Sequence, residues 1–281
     1  MPLSRLTFAI ALGVIAAAGA AAAPDWPSVP AKNVTLLYPG QSSLEWAMSK
    51  GEHRGAEKFN GGKSCAACHI GEEAPVGAIV ALGRKLEPSP IPGKPGSIVA
   101  KVQVARDAQR LYVRLEFSDA GQPDARMTLA PAKVAIMLGG DEPVVARAGC
   151  WAMCHDDSEG MAKAHGARPM YLGKTRRGGG GVEYWEVELG SGAPAAANGT
   201  VSDARRKTKP VAVTAEAVHR NGVWTVILSR PLNAGAVTLV SGKRYIIAFA
   251  IDVGHTAKRF HYVSFERSLV LGQGTADFVA K

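Results

Sequence analysis

Cys65-Ala66-Ala67-Cys68-His69 is the stretch of this sequence whose residue types and spacing most directly specify a chemistry. Two thiols separated by two residues, with a histidine immediately after the second, form the attachment signature of c-type haem. The thiols reach the two vinyl groups of one porphyrin, and the histidine sits beneath the iron. A thioredoxin-like redox pair or half of a zinc site also uses C-x-x-C, but neither requires the trailing histidine. A looser copy follows at Cys150-Trp151-Ala152-Met153-Cys154-His155, with one more residue between the cysteines. A Cys150–Cys154 disulfide is its plain alternative in an exported chain. The two motifs consume all four cysteines. The sequence therefore predicts two haem c groups, attached at Cys65 and Cys68 and at Cys150 and Cys154, with His69 and His155 as proximal iron ligands.

The N-terminus agrees with that chemistry. Arg5 precedes an apolar run from Leu6 to Ala18, and the alanine-rich stretch to Ala23 offers small-residue cleavage sites. Residues 1–23 are expected to be a secretory signal peptide, the alternative being an uncleaved anchor. Haem c is attached outside the cytoplasm, so a periplasmic location is expected. Nothing after Asp25 is apolar for long enough to span a bilayer. The formal charge is +9. Such a balance favours encounters with acidic proteins or anionic surfaces, although solubility alone would explain it. Nucleic acid is not expected as a partner.

The elements that must hold these motifs change character near residue 95. Residues 24–42 are proline-rich and extended. Ser43 to Phe59 has helical character up to a break at Gly51, and Gly61-Gly62-Lys63 leads into the first motif. Leu86 to Gly96 contains Pro88, Pro90, Pro92 and Pro95 and reads as a linker. Beyond it the period becomes two. Val102 and Val104, Leu111 to Phe117, Val134 to Leu138, Tyr184 to Leu189, Val211 to Val218, Val223 to Leu228, Tyr245 to Val253 and Tyr262 to Leu271 read as strands, with Asn221-Gly222 as a hairpin turn. About eight such segments with few helical periods predict a mainly β fold, an antiparallel β-sandwich. The expected division is a signal over 1–23, a short helical and loop haem segment over 24–95, and the sandwich with the second haem over 96–281. Gly178 to Gly181 reads as a loop.

The strand region, "RLYVRLEFSD", "VEYWEVEL", "NGVWTVILSRPL" and "YIIAFAIDVG…FHYVSFERSLVL", resembles the haem-binding domain of the ethylbenzene dehydrogenase gamma subunit and of related dimethyl-sulfoxide-reductase-type complexes. The resemblance covers roughly residues 96 to 275. It implies a β-sandwich carrying a haem at one end, and in those subunits that haem is b-type, with methionine and lysine ligands. This sequence departs from the pattern. The Cys150–His155 motif stands where the methionine-bearing loop would be, and His261, in Phe260-His261-Tyr262-Val263-Ser264, stands where the lysine would be. The resemblance thus implies His261 as the distal ligand of the second haem, with His165 as its rival. The N-terminal part resembles the haem c segment fused to some members, where a tryptophan precedes His-x-Gly-Ala and then C-x-x-C-H. Trp46, His53, Gly55 and Ala56 match it, as do the trailing Gly71-Glu72-Glu73. That makes His53 the distal ligand of the first haem; its charged neighbours Glu52, Arg54 and Lys58 equally suit a surface histidine.

His255 reads as a turn residue and His219 as an exposed strand end. Met127, Met137 and Met170 read as packing, and Met153 lies inside its own attachment loop. Trp151, Trp185 and Trp224 suit a porphyrin wall around the second haem or ordinary core. No Ser-His-Asp order and no phosphate loop is present. Histidine on both iron faces leaves no open site and gives a lower potential than a methionine partner does. The expectation is an electron carrier rather than a catalyst, exchanging electrons with periplasmic or membrane-attached redox proteins that present acidic docking surfaces. The resemblance allows two further readings: a haem subunit docked to a molybdenum oxidoreductase, or a small-gas binder if one iron were five-coordinate.

Overall fold

The computed structural model describes residues 23–40, 45–87, 90–119, 132–140, 145–154, 182–190, 192–201, 205–208, 213–253 and 261–281. The signal segment over 1–22, His155, His165, His255, Met127, Met170 and the Gly178–Gly181 loop lie outside the described residues, as do the side chains of Met153 and Cys154.

Alternation of apolar and polar residues builds one large sheet, mainly antiparallel and nearly closed on itself. Its strands are β1 (Ala31–Leu37), β2 (Ser97–Arg106), β3 (Arg110–Ser118), β4 (Ala132–Gly139), β5 (Val182–Leu189), β6 (Ala195–Val201), β7 (Arg205–Thr208), β8 (Thr214–Arg220), β9 (Val223–Pro231), β10 (Arg244–Asp252), β11 (Tyr262–Val263), β12 (Arg267–Leu271) and β13 (Phe278–Ala280). The order is β7-β6-β5-β4-β10-β11-β1-β2-β3-β9-β8, with β12 beside β10 and β13 parallel to β12. Leu36, Val113, Leu115, Leu228, Ile247 and Phe249 are fully buried in the core. The expected hairpin is present: Asn221 and Gly222 both take positive φ between β8 and β9, which is what a tight turn with matching twist requires.

The proline-rich N-terminal stretch contributes β1, which pairs along its whole length with β2, Ala31 opposite Gln103 and Leu37 opposite Ser97. The sheet thus takes strands from both sides of the proline segment. That segment is fastened to the sheet. Tyr262 donates its hydroxyl hydrogen to the Pro95 carbonyl at 3.0 Å. The Lys94 amine lies 4.7 Å from the Tyr38 ring centre and 4.4 Å from that of Tyr262. Burial lowers its pKa to about 8, while the charges of Asp252 and Glu87 resist the fall.

β5 departs from the expected half-buried pattern. Glu183 and Glu186 are both 1% exposed. Glu183 accepts from the Trp185 indole at 2.6 Å and faces Arg230 of β9 at 3.3 Å, so two distant parts of the sheet order meet through a buried ion pair. Burying such a pair is possible because both partners are hydrogen-bonded.

The helices are short. They are α1 (Glu45–Met48), α2 (Ala56–Asn60), α3 (Ala66–His69), α4 (Glu73–Ala81) and α5 (Val145–Cys154). The expected helical stretch from Ser43 is broken into α1 and α2 by the turn around Gly51. Among the described residues no helix is long and apolar enough to cross a membrane. α5 is kinked at Gly149, which adopts φ 53° and ψ −138°, a region open essentially to glycine. A β-carbon there would also lie 2.8 Å from the Glu266 backbone nitrogen. The kink turns Cys150 and Trp151 inward. We expect Gly149→Ala to lower stability by roughly 2 kcal/mol or more, since strain and a backbone collision act together. Thermal unfolding of the purified variant checks this, and a Tm within a degree of the parent would contradict it.

Candidate haem site

The first motif forms one turn against the segment that joins β11 to β12. Cys65 caps α3, and the Cys68 and His69 N–H groups both return to the Cys65 carbonyl, so both thiols and the imidazole issue from a single turn. The half-buried His69 ring faces His53, with ring centres 6.1 Å apart and planes inclined at 39°. Two metal–nitrogen bonds of about 2 Å each, set in line between two imidazoles, would hold their centres roughly 6 Å apart. Nδ1 of His53 donates to the Ala47 carbonyl at 3.0 Å, and Nδ1 of His69 donates to Glu72 at 2.9 Å. In each ring Nδ1 is the donor in that contact, which leaves Nε2 as the nitrogen available to a metal. This is the arrangement by which ligating histidines are oriented and made more basic. His53 is half-buried between exposed Glu52 and Arg54, so it is not the surface residue its neighbours suggest.

Both rings line one cleft, walled by Trp46, Phe59, Cys65, Cys68, Val80, Leu86, Trp151 and Phe265. Phe265 lies under His69 with ring centres 6.4 Å apart, and Trp46 stands edge-on to His53 at 5.0 Å. Gly55 is required here: a β-carbon on it would fall 2.8 Å from His53 Cε1. The Trp46 indole nitrogen is buried with no acceptor among the described residues. A buried donor left so costs about 1–3 kcal/mol unless a bound group satisfies it. The residues present thus fit a flat, apolar, iron-centred group bearing acceptor oxygens. Among the described residues no cluster of three or more His, Cys, Asp or Glu occurs.

The second motif is only partly described. Cys150 is buried on α5, and Cys154 follows one helical turn later on the same helix. His155 lies outside the described residues, so no geometry relates it to His261. His261 is half-buried just ahead of β11, with its Nε2 buried. The tryptophans divide. Trp185 is core, and Trp224 stacks on His219 at 4.6 Å. Trp151 lines the cleft of the first motif rather than a separate one, with its ring 5.4 Å from Trp46.

Over 279 residues the chain is 38% identical to cytochrome c-552 of Stutzerimonas stutzeri, covering 95% of this chain and 96% of that protein. It is 31% identical to cytochrome c-551 of Rhodocyclus tenuis, covering 92% of this chain and 99% of that one. The chain belongs to the c-type cytochromes. No protein-family model matches it. Two structures of a family 9 carbohydrate-binding module from Caldicellulosiruptor kristjanssonii, with cellotriose and with glucose, overlay on 60% of this cytochrome and on 65% and 67% of those chains. Their identities are 12% and 13% and their TM-scores 0.33 and 0.34, too low for any inference.

Sequence reasoning missed three partners of the first motif in this cytochrome. Arg147 accepts the Cys65 N–H with its carbonyl, and its guanidinium lies 5.9 Å from the Phe59 ring centre. Arg267 pairs with buried Glu73 at 3.0 Å. Glu266 accepts the Ala66 N–H at 3.1 Å. Burial, and then the charge of Glu266, push the Cys65 thiol pKa up, so the unattached thiol is not a ready nucleophile. Burial also raises the Glu266 pKa to about 7, against the pull of Ser64, of the backbone N–H groups and of Arg267. The folded protein therefore binds this proton more tightly than the unfolded chain. The resulting stability is full below the ordinary carboxylate range and is lost as pH rises through about 7. We expect Glu266→Gln, which keeps the acceptor oxygen, to flatten this dependence by up to about 3 kcal/mol between pH 5 and 8. Parallel Tm-versus-pH curves for parent and variant would rule the assignment out.

Proposed function

We propose that this cytochrome is a periplasmic dihaem electron carrier. The first haem is held by thioether bonds to Cys65 and Cys68, with His69 and His53 on the two faces of its iron. The second is held by Cys150 and Cys154, with His155 proximal and His261 distal. When bound, the haem supplies a one-electron couple. The chain's own residues do the rest. Ala47 and Glu72 hold the two Nδ1 atoms and leave each Nε2 as the nitrogen available to the iron. Trp46, Phe59, Val80 and Phe265 line the cleft with apolar surface. The 6.1 Å separation of the His53 and His69 rings carries the reading of the first site, because it suits one metal ligated between the two imidazoles.

The setting supports a carrier. Relatives named as cytochromes c match 95% and 92% of the chain, which supports a carrier. Ile70, Ile79 and Leu82 are exposed on and beside α3 and α4, while Lys63 and Lys85 line the cleft. Exposed apolar side chains and lysines at the cleft suit a redox partner presenting acidic residues. The alanine-rich N-terminus supports export.

Intact-mass measurement under denaturing conditions should give the processed chain plus two haem masses. One added haem, with Cys150 joined to Cys154, would remove the second site. His53→Ala should open one iron, seen as carbon monoxide binding to the reduced protein and high-spin character in the oxidised one. An unchanged low-spin spectrum would reject His53. His261→Met should raise one midpoint potential and leave the other in place. A shift produced by changing His165 instead would move the distal ligand to the segment after His155.

A further inference from the structure

The second cysteine motif forms part of the wall of the first haem site. Trp151 directly follows Cys150 and is 3% exposed. Its ring centre lies 5.4 Å from that of Trp46, with planes at 43°. Trp46 in turn stands edge-on to His53 at 5.0 Å and 74°. The next residue after Trp46, Ala47, provides the carbonyl that takes the His53 Nδ1 proton. Two of the contacts that fix the His53 ring therefore come from adjacent residues of α1.

α1 has only four residues, a single turn. A helix that short has no stability of its own, since nucleation is unfavourable and almost no propagation follows it. Its place must be set by packing. Asn60 donates to the Met48 carbonyl at 3.0 Å and ties the C-terminal end of α1 to α2. Trp151 packs on Trp46 and comes from α5, which Gly149 bends inward and which also takes the Cys65 N–H on the Arg147 carbonyl. α5 thus touches both sides of the cleft: the proximal turn through Arg147 and the distal helix through Trp151.

We propose that Trp151 is a positioning residue for the distal side of the first haem, holding Trp46 and α1 so that His53 stays at ligating distance from His69. The inference rests on the reading of His53 and His69 as one iron's two ligands. It adds that distal ligation at the first motif depends on a side chain supplied by the second. No bond is made or broken and no proton moves; Trp151 acts by excluding the space into which α1 would otherwise relax.

The test uses haem-loaded protein and two spectroscopic readouts, the low-spin fraction of the oxidised form and carbon monoxide binding by the reduced form. Trp151→Leu should create a carbon-monoxide-reactive, partly high-spin population. Trp151→Phe, which keeps an aromatic ring against Trp46, should restore most of the parent spectrum. His53→Ala alone defines the signature of an opened first iron. In the double variant H53A/W151L, carbon monoxide binding should be no greater than in H53A, because both changes act on the same ligand. Additive binding would mean that Trp151 acts on the second iron, and would overturn the proposal. So would a W151L protein that stays low-spin and unreactive while H53A opens. If H53A itself changes nothing, the ligand assignment beneath the proposal fails with it. Should W151L not accumulate with haem, Trp46→Leu removes the other half of the pair and carries the same expectation.

Discussion

Three consecutive residues, Phe265, Glu266 and Arg267, tie the sheet to the first cysteine motif. Phe265 lies under the His69 ring, Glu266 takes the Ala66 N–H, and Arg267 pairs with Glu73 at the start of α4. They can do this because the strand beside β10 is interrupted. β11 ends at Val263 and β12 begins at Arg267, and between them Ser264 closes onto Phe249 in both directions: its N–H donates to the Phe249 carbonyl at 2.8 Å, and its hydroxyl oxygen accepts the Phe249 N–H at 2.9 Å. The break releases Phe265 and Glu266 from the ladder and turns them towards the site, a familiar use of strand irregularities next to functional positions. Without it the α3 turn would lose its Phe265 and Glu266 contacts with the sheet.

That dependence follows from the size of the helices. α1, α2 and α3 have four, five and four residues. None can hold a shape unaided. Their side chains are placed by contacts with residues up to 200 positions away. The sheet is the rigid body, and the segment that presents His53, Cys65, Cys68 and His69 is a set of turns laid against it. Bound haem would add covalent bonds and iron bonds to this arrangement and would tie these turns more firmly to one another.

The same contrast explains what was legible in the sequence. Period-two runs such as Leu111 to Phe117 declared their strands, and Asn221-Gly222 declared its turn, because both are local properties of backbone and side chain. β6, β7 and β13 were not legible: Ala195 to Val201 and Arg205 to Thr208 lack an apolar alternation, and their pairing is decided by β5 and its neighbours. β1 was legible only as extended chain. The burial of Glu183 and Glu186 contradicts the simple alternation of β5, since it reflects a second covered face that no single strand can announce. At the site, the motif spelled out Cys65, Cys68 and His69, whereas Glu266, Arg147 and Trp151 reach it through tertiary contacts alone.

Trp151 shows why motif boundaries and site boundaries differ. In sequence it belongs to the second attachment motif, and an aromatic residue there suits a wall for that haem. In the fold, the kink at Gly149 swings it against Trp46. The two motifs are 85 positions apart, counting from Cys65 to Cys150. They share the Arg147–Cys65 hydrogen bond and the Trp151–Trp46 pair. A change in one loop is then felt in the other through packed rings and one hydrogen bond, a contiguous physical connection. The two cysteine motifs therefore cannot be tuned independently: any substitution that reshapes α5 around Cys150 also moves the wall behind His53.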